Sequence, residues 1–359
     1  MKSNRIKIVF ILPNLLPGGA ERVVSFIADN INHELFDSKL LIVGKAEDAS
    51  YDLCNIDVVY LEKERVLNGI WSIFKYLVKS KPNVVLTANT HLSTAVAYIS
   101  VFFPKTKFIS REVTLLSLDV DFFGKRKKGF SIMSILNRNS FKLFDKVISQ
   151  SEDMKNDLMK NYNINEEKIT VINNPISNSF NLKSERNVDS TLKIITIGRL
   201  SKEKGIPRLL RILSKLDIPF HYTLIGNGTE KENIFQLIEE YGLTNKVTHI
   251  DFTKNVLKYL SENDIFLQGS YFEGFPNCLI ESCSVGTPVF AFDVPGGTKE
   301  IISNGINGYL VNTEEELLKK IKENFNWDSQ VIRESVLKKF KQEIILKKYE
   351  DLIMEVLNK

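Results

Sequence analysis

Short apolar runs recur along this chain, separated by longer amphipathic or polar stretches, and Ile6-Lys7-Ile8-Val9-Phe10-Ile11-Leu12 is the first. Near-continuous runs of this kind fit strands buried on both faces of a parallel sheet. The pattern predicts strands over 6–12, 39–43, 58–61, 84–87, 107–110, 146–149 and 169–172. Helices are predicted over 20–30, 70–79 and 92–103, and from about 151, where Ser151-Glu152-Asp153 offers capping side chains. Asn173-Asn174-Pro175 then breaks the rhythm, and the polar, aperiodic residues 177–190 read as a linker. The alternation restarts with strands over 193–197, 222–225, 247–252, 265–268 and 288–292 and helices over 205–216, 230–241, 256–263 and 277–285. Charged helical sequence follows from 314. Two successive βα alternations of similar length predict an α/β protein of two doubly wound domains facing each other across a cleft. The expected bounds are 1–176 and 177–340, with 341–359 as a helix packing back on the first domain.

Composition changes this picture little. At 359 residues the chain exceeds the size at which one core keeps growing, so two domains are expected. A content of 43% hydrophobic and 26% charged residues is that of an ordinary globular protein. Cys54, Cys278 and Cys283 show neither paired nor metal-like spacing, which fits a reducing cytosol. The first apolar run is short, lacks a small-residue cleavage site and ends at Pro13-Asn14, so it reads as a buried strand and not as a signal peptide. Residues 84–103 hold no Asp, Glu, Lys or Arg, yet Thr87-Ala88-Asn89-Thr90-His91 interrupts them with polar groups. A strand, a polar loop and an apolar helix explain that stretch better than a membrane span.

Three segments carry candidate chemistry. Pro17-Gly18-Gly19-Ala20 after the first strand lets backbone approach a ligand closely, without the three spaced glycines of a dinucleotide fingerprint, which argues against a dehydrogenase. Ile197-Gly198-Arg199-Leu200-Ser201-Lys202-Glu203-Lys204-Gly205 sets Arg199 and Lys204 after a strand, where two cations can neutralise a diphosphate or, on a blander reading, simply sit in solvent. Glu273-Gly274-Phe275-Pro276-Asn277-Cys278-Leu279-Ile280-Glu281 leads from a strand into a short helix, with Pro276 in its first turn and Gly286 ending it. The positive end of that helix can receive an anion, and the carboxylates on either side can accept hydrogen bonds from sugar hydroxyls.

Taken together these pieces resemble the family 4 glycosyltransferases, which have the GT-B architecture of two facing Rossmann-like domains. The likeness rests on Gly18-Gly19-Ala20-Glu21-Arg22, Gly198-Arg199-Leu200 with Lys204-Gly205, Ile225-Gly226-Asn227-Gly228, and Glu273 to Asn277 with Glu281. Pro295-Gly296-Gly297-Thr298-Lys299-Glu300-Ile301-Ile302 and Asn304-Gly305-Ile306-Asn307-Gly308 complete it. The resemblance implies that Gly18 and Gly19 approach the donor phosphate, that Arg199 and Lys204 grip the diphosphate, and that Glu273 contacts the transferred sugar. It places Glu281 on the ribose, the base near Gly226, and Phe275, Pro276 and Asn277 along the donor. His91 falls where the family carries a histidine near the anomeric centre, although a packed side chain is the other reading. Arg111, ending the next strand, is a weaker candidate.

The implied reaction is retaining transfer of a hexose or N-acetylhexosamine from a nucleotide diphosphate sugar, UDP-linked by preference, with no cofactor and no metal. Asp119-Val120-Asp121 matches the metal-binding triplet of other glycosyltransferases in spacing only, since it lies in a loop away from any strand end. Residues 105–146 hold ten basic and four acidic residues, and Phe122-Phe123-Gly124-Lys125-Arg126-Lys127-Lys128-Gly129-Phe130 lies among them. Such a segment suits an anionic membrane surface, and no nucleic-acid motif accompanies it. The expected acceptor is a polyprenyl-diphosphate-linked oligosaccharide of bacterial surface polysaccharide synthesis, such as O-antigen or capsule. The expected place is the cytoplasm, peripherally on the inner face of the plasma membrane. A silent sugar-nucleotide-binding protein or an epimerase of the same architecture stays open.

Overall fold

The computed structural model of the protein describes residues 5–51, 53–122, 132–176, 181–183, 191–323 and 326–358. Most of the expected linker and of the basic Phe122–Phe130 cluster lies outside them. The chain divides into two units, Met1–Pro175 with Glu343–Lys359, and Ile176–Gln342.

The first unit is built on seven parallel strands, β1 (Ile6–Leu12), β2 (Phe36–Ile42), β3 (Asp57–Tyr60), β4 (Val84–Ala88), β5 (Lys107–Arg111), β6 (Lys146–Ser149) and β7 (Ile169–Val171), in the order β3-β2-β1-β4-β5-β6-β7. β1 shows why the run is apolar throughout. Ile8, Phe10 and Leu12 enter the core on one face, beneath the helices Gly19–Asn30 and Gln342–Leu357. Val9 and Ile11 enter the core on the other face, with the helices Val66–Ser80 and Thr90–Ser100. A strand covered on both sides has no polar face to display.

The second unit repeats the plan with β8 (Leu192–Ile197), β9 (Phe220–Ile225), β10 (Val247–Ile250), β11 (Ile265–Gln268), β12 (Val289–Phe292) and β13 (Gly308–Val311), in the order β10-β9-β8-β11-β12-β13. All pairings in both sheets are parallel. Its two cores again split one strand by parity: Phe290 and Phe292 pack on one face, Val289 and Ala291 on the other.

Several expectations change in detail. β13 is a strand the apolar pattern did not predict. The polar stretch 87–91 is not a loop, because Thr87 and Ala88 finish β4 and the next helix begins at Thr90. Asp119-Val120-Asp121 belongs to the short helix Leu116–Phe122 and not to a loop. Arg111 is corrected most. It is fully buried inside the first unit, its Nε donating to Tyr349 Oη at 2.9 Å and its Nη2 to Asn174 Oδ1 at 2.5 Å. A guanidinium enclosed in this way fastens the helix Gln342–Leu357 to β5 and cannot reach a ligand.

Candidate active site

In a doubly wound sheet, ligands bind at the carboxyl edge where the chain turns away in opposite directions from two adjacent strands. In the second unit that point lies between β8 and β11. β8 leads to the helix Ile206–Leu213 on one face, and β11 leads to the helix Asn277–Ser284 on the other. Lys204 follows β8 and Glu273 follows β11.

The fold brings these two side chains into contact across 69 positions of sequence. Lys204 Nζ donates to both Glu273 oxygens, at 2.7 and 2.9 Å. The Ser270 hydroxyl donates to Glu273 Oε1, and Gln268 Nε2 donates to the same oxygen at 3.2 Å. Glu273 is 8% exposed. Burial alone would lower the Lys204 pKa, but attraction to Glu273 outweighs it and holds the ammonium above its ordinary value. Lys204 is therefore a fixed positive charge at the switch point.

Close backbone approach makes this contact possible. Gly205 has φ +58, and a Cβ on it would lie 1.9 Å from the Gly269 carbonyl oxygen. Arg208 holds the same loop from beneath, its Nε donating to Gly269 O at 2.6 Å and its Nη2 to Ser270 O. Its guanidinium lies 3.6 Å from the Phe292 ring centroid, and burial pushes its pKa down to about 10. Neither Arg208 nor the Ser270 and Gln268 donors stood out in the sequence. The one signal available was their place, with Gln268 ending β11, Ser270 two residues later and Arg208 one turn after Lys204-Gly205.

The other expected residues of this unit are placed as follows. Arg199 is exposed just beyond β8. Gly226 donates its N–H to Ile250 O at 2.8 Å and accepts from His249 Nε2 at 2.8 Å. Pro276 is the cap before the helix and not its first turn, with Asn277 the first helical residue and Glu281 half-buried further along. Phe275 needs a correction, because its ring is buried against Phe340 at 5.3 Å between centroids. Its ring is core, and only its backbone can serve a ligand.

The switch point of the first unit lies between β1 and β4, and it gathers Gly18, Gly19 and His91. Gly18 caps the helix Gly19–Asn30 and donates its N–H to Tyr51 Oη at 3.0 Å, while that hydroxyl donates back to Gly18 O at 3.0 Å. His91 is exposed in the first turn of the helix Thr90–Ser100. Asn89 caps that helix at φ +81, a strained value for a residue with a side chain, and its Oδ1 accepts from His91 N at 3.2 Å. The next residue, Thr90, is tied to the buried Glu112. Fully buried, Glu112 accepts from Thr90 Oγ1 at 3.1 Å and from Ser110 Oγ at 2.8 Å.

Burial pushes the Glu112 carboxyl above its ordinary value of 4.5, against the pull of those hydroxyls and of Arg111. The folded protein then holds a proton that the unfolded chain releases. The stabilisation is complete below pH 4.5 and is lost as pH rises toward the raised value. Glu112→Gln, which carries no such proton, is expected to remove that decline. Urea unfolding of both proteins at pH 5 and pH 7 should show the variant losing less stability over the interval. Parallel profiles would contradict the assignment.

Among the described residues no group of three or more His, Cys, Asp or Glu is placed to hold a metal ion, and no helix is long and apolar enough to cross a membrane. Comparison with known proteins decides the family. The profile described as Glycosyltransferase Family 4 matches residues 17–180, and the one described as Glycosyl transferases group 1 matches residues 178–330. The chain belongs to the family 4 glycosyltransferases. Similar proteins include the N-acetylgalactosamine-N,N'-diacetylbacillosaminyl-diphospho-undecaprenol 4-alpha-N-acetylgalactosaminyltransferase of Campylobacter jejuni, 26% identical over 86% of this chain and 87% of that one. The amylovoran biosynthesis glycosyltransferase AmsD of Erwinia amylovora is 23% identical over 94% of this chain and 96% of that protein. The structure of HepE from Anabaena in complex with UDP-glucose superposes with a TM-score of 0.78 at 18% identity, covering 99% of this chain and all of the other. The fold of this glycosyltransferase is accordingly GT-B.

Proposed function

We propose that this glycosyltransferase moves a hexosyl or N-acetylhexosaminyl group from a UDP-sugar onto a polyprenyl-diphosphate-linked oligosaccharide at the inner face of the plasma membrane. The transfer retains anomeric configuration and needs no metal. The observation that carries this reading is the Lys204–Glu273 pair at the switch point of the second unit. An ammonium there meets the charge that builds on a departing diphosphate, and its three N–H groups can serve the anion as well as Glu273. Arg199 adds a second cation and the start of the helix Asn277–Ser284 adds its dipole. Glu273, its carboxylate oriented by Ser270 and Gln268, takes the hydroxyls of the transferred sugar, and Glu281 takes those of the ribose. On the first unit, the glycine turn at Gly18 and Gly19 can receive phosphate once the Gly18 N–H leaves the Tyr51 hydroxyl, and His91 can orient the sugar or the acceptor hydroxyl. The lipid-diphosphate acceptor draws support from the Campylobacter relative's activity, and the UDP-sugar donor from the HepE complex.

A thermal-shift panel of UDP- and GDP-sugars tests the donor. The true donor at one hundred times its Kd adds about 2.7 kcal/mol of stability and raises the melting temperature most. Transfer from it to a polyprenyl-diphosphate disaccharide, followed by NMR of the new linkage, is expected to give the donor's anomer with or without EDTA. An inverted anomer, loss of transfer in EDTA, or conversion of the free nucleotide sugar with no acceptor present would each overturn the corresponding part.

A further inference from the structure

One surface of the first unit is left unexplained by the reaction. The helix Val66–Ser80 presents Leu67, Trp71, Lys75 and Val78 at spacings of four, four and three, so they share one face, and all four are exposed. Trp71 is 62% exposed and Leu67 70%. The Trp71 ring stacks on Phe74 at 5.3 Å, and Phe74 meets Phe102, itself 68% exposed, edge-on at 5.8 Å. Val101 is exposed beside it. The result is a continuous apolar ridge that runs from the middle of one helix to the end of the next.

The charges carried by the two helices of this ridge and their connections have one sign, the nearest carboxylates being Glu64 before the first helix and Asp37 and Asp57 on the side of Tyr76. Between Glu64 and Glu112 the sequence holds no acidic residue, but it holds Arg65, Lys75, Lys79, Lys81, Lys105, Lys107 and Arg111. Arg65, Lys75, Lys79, Lys81 and Lys105 are exposed, and no salt bridge ties any of them to a described residue. Lys75 Nζ sits 5.3 Å from the Trp71 ring centroid, with its aliphatic stem along the ridge and its charge at the rim.

We propose that this ridge is a docking surface for an anionic phospholipid bilayer. Trp71, Leu67 and Phe102 enter the interfacial layer, and Lys75 and Lys79 meet lipid phosphates. Apolar anchors with lysines beside them are what an interfacial surface needs, because burial and attraction to anionic headgroups add. A second copy of the chain is a poor occupant. A two-fold contact would lay the lysine-bearing face against itself, with no carboxylate between residues 65 and 111 to offset it. The proposal extends the lipid-linked acceptor reading, but it concerns the protein surface and can be tested with neither donor nor acceptor present.

The test is flotation of the full chain with vesicles of phosphatidylcholine alone and of phosphatidylcholine with phosphatidylglycerol. The unaltered protein is expected to float with the mixed vesicles and much less with the neutral ones. W71S/F102S should lower partition roughly tenfold at both low and physiological salt, since its loss is apolar. K75E/K79E should lower it on mixed vesicles by about fivefold or more per lysine, with little change on neutral ones. Among the described residues neither lysine has a salt-bridge partner to lose, and Lys75 gives up only its exposed contact with the Trp71 ring, so this variant reports on docking even where W71S/F102S folds poorly. Flotation of K75E/K79E like the unaltered protein overturns the proposal, as does a loss seen only on neutralising Lys125 to Lys128. Dimer mass by light scattering that W71S/F102S abolishes, without vesicle binding by the unaltered chain, overturns it in favour of self-association. Donor-induced thermal shifts in the same variants are expected to be unchanged, which separates this result from failure of the transferase reading.

Discussion

Lys204→Ala is expected to lower kcat/KM by about 100- to 1,000-fold, the range for removing one preorganised donor to developing charge. Its structural effect should be of a different kind. Glu273 would stay buried with two neutral donors and no cation, and stripping one partner from a buried pair costs about 3–5 kcal/mol. Because the Lys204 side chain is 27% exposed, water can soften the loss, and about 2–3 kcal/mol is expected. Glu273→Gln added to Lys204→Ala removes the stranded charge, so urea unfolding of the double variant should recover most of the stability. Its turnover should not recover, because neither the cation nor the carboxylate is restored. Recovery of both together would mean that the pair is structural, and a Lys204→Ala enzyme within tenfold of the original would remove Lys204 from catalysis.

Gly296→Ala is the second large effect. Gly296 has φ +120, where side chains are strained, and a Cβ there would lie 1.7 Å from the Glu273 carbonyl oxygen. The segments are already joined at that point, since Glu273 N donates to Pro295 O at 3.0 Å and Gly297 N donates to Gly274 O at 3.0 Å. Backbone strain of about 1–3 kcal/mol and a clash of about 1–3 kcal/mol therefore fall on the strand of chain that positions Glu273. A loss of about 2–6 kcal/mol is expected by urea unfolding, with transfer reduced at least as far as in Lys204→Ala. Gly305→Ala separates the two causes. Its φ is +75, but the nearest atom to a new Cβ is Tyr309 Oη at 3.8 Å, so strain alone applies and about 1–2 kcal/mol is expected. Equal losses at the two glycines would show that the contact with Glu273 contributes nothing.

The two-unit α/β plan was legible because parallel strands covered on both faces leave unbroken apolar runs, as in Ile6 to Leu12. β13 was not, because Gly308-Tyr309-Leu310-Val311 is short and follows the Asn304-Gly305 and Asn307-Gly308 turn signals. Motif spacing placed Lys204 after β8 and Glu273 after β11, yet it gave the two separate duties and said nothing of their ion pair. That pair depends on Gly205 meeting Gly269, a contact between distant segments with no local signature. Arg111 shows the opposite error. An arginine ending a strand resembles a ligand-binding residue until Tyr349, 238 positions away, is seen beside it. The burial of the Phe275 ring is hidden for the same reason, since its partner Phe340 lies in a remote helix.

The helix Gln342–Leu357 contributes Ile345, Leu346, Tyr349, Leu352, Ile353 and Val356 to the core around β1, although these residues all follow the second unit, which ends at Gln342. During synthesis the second unit can therefore close as soon as it leaves the ribosome. The nascent first unit must wait with one apolar flank uncovered, a natural handhold for chaperones. The half translated first is the half completed last.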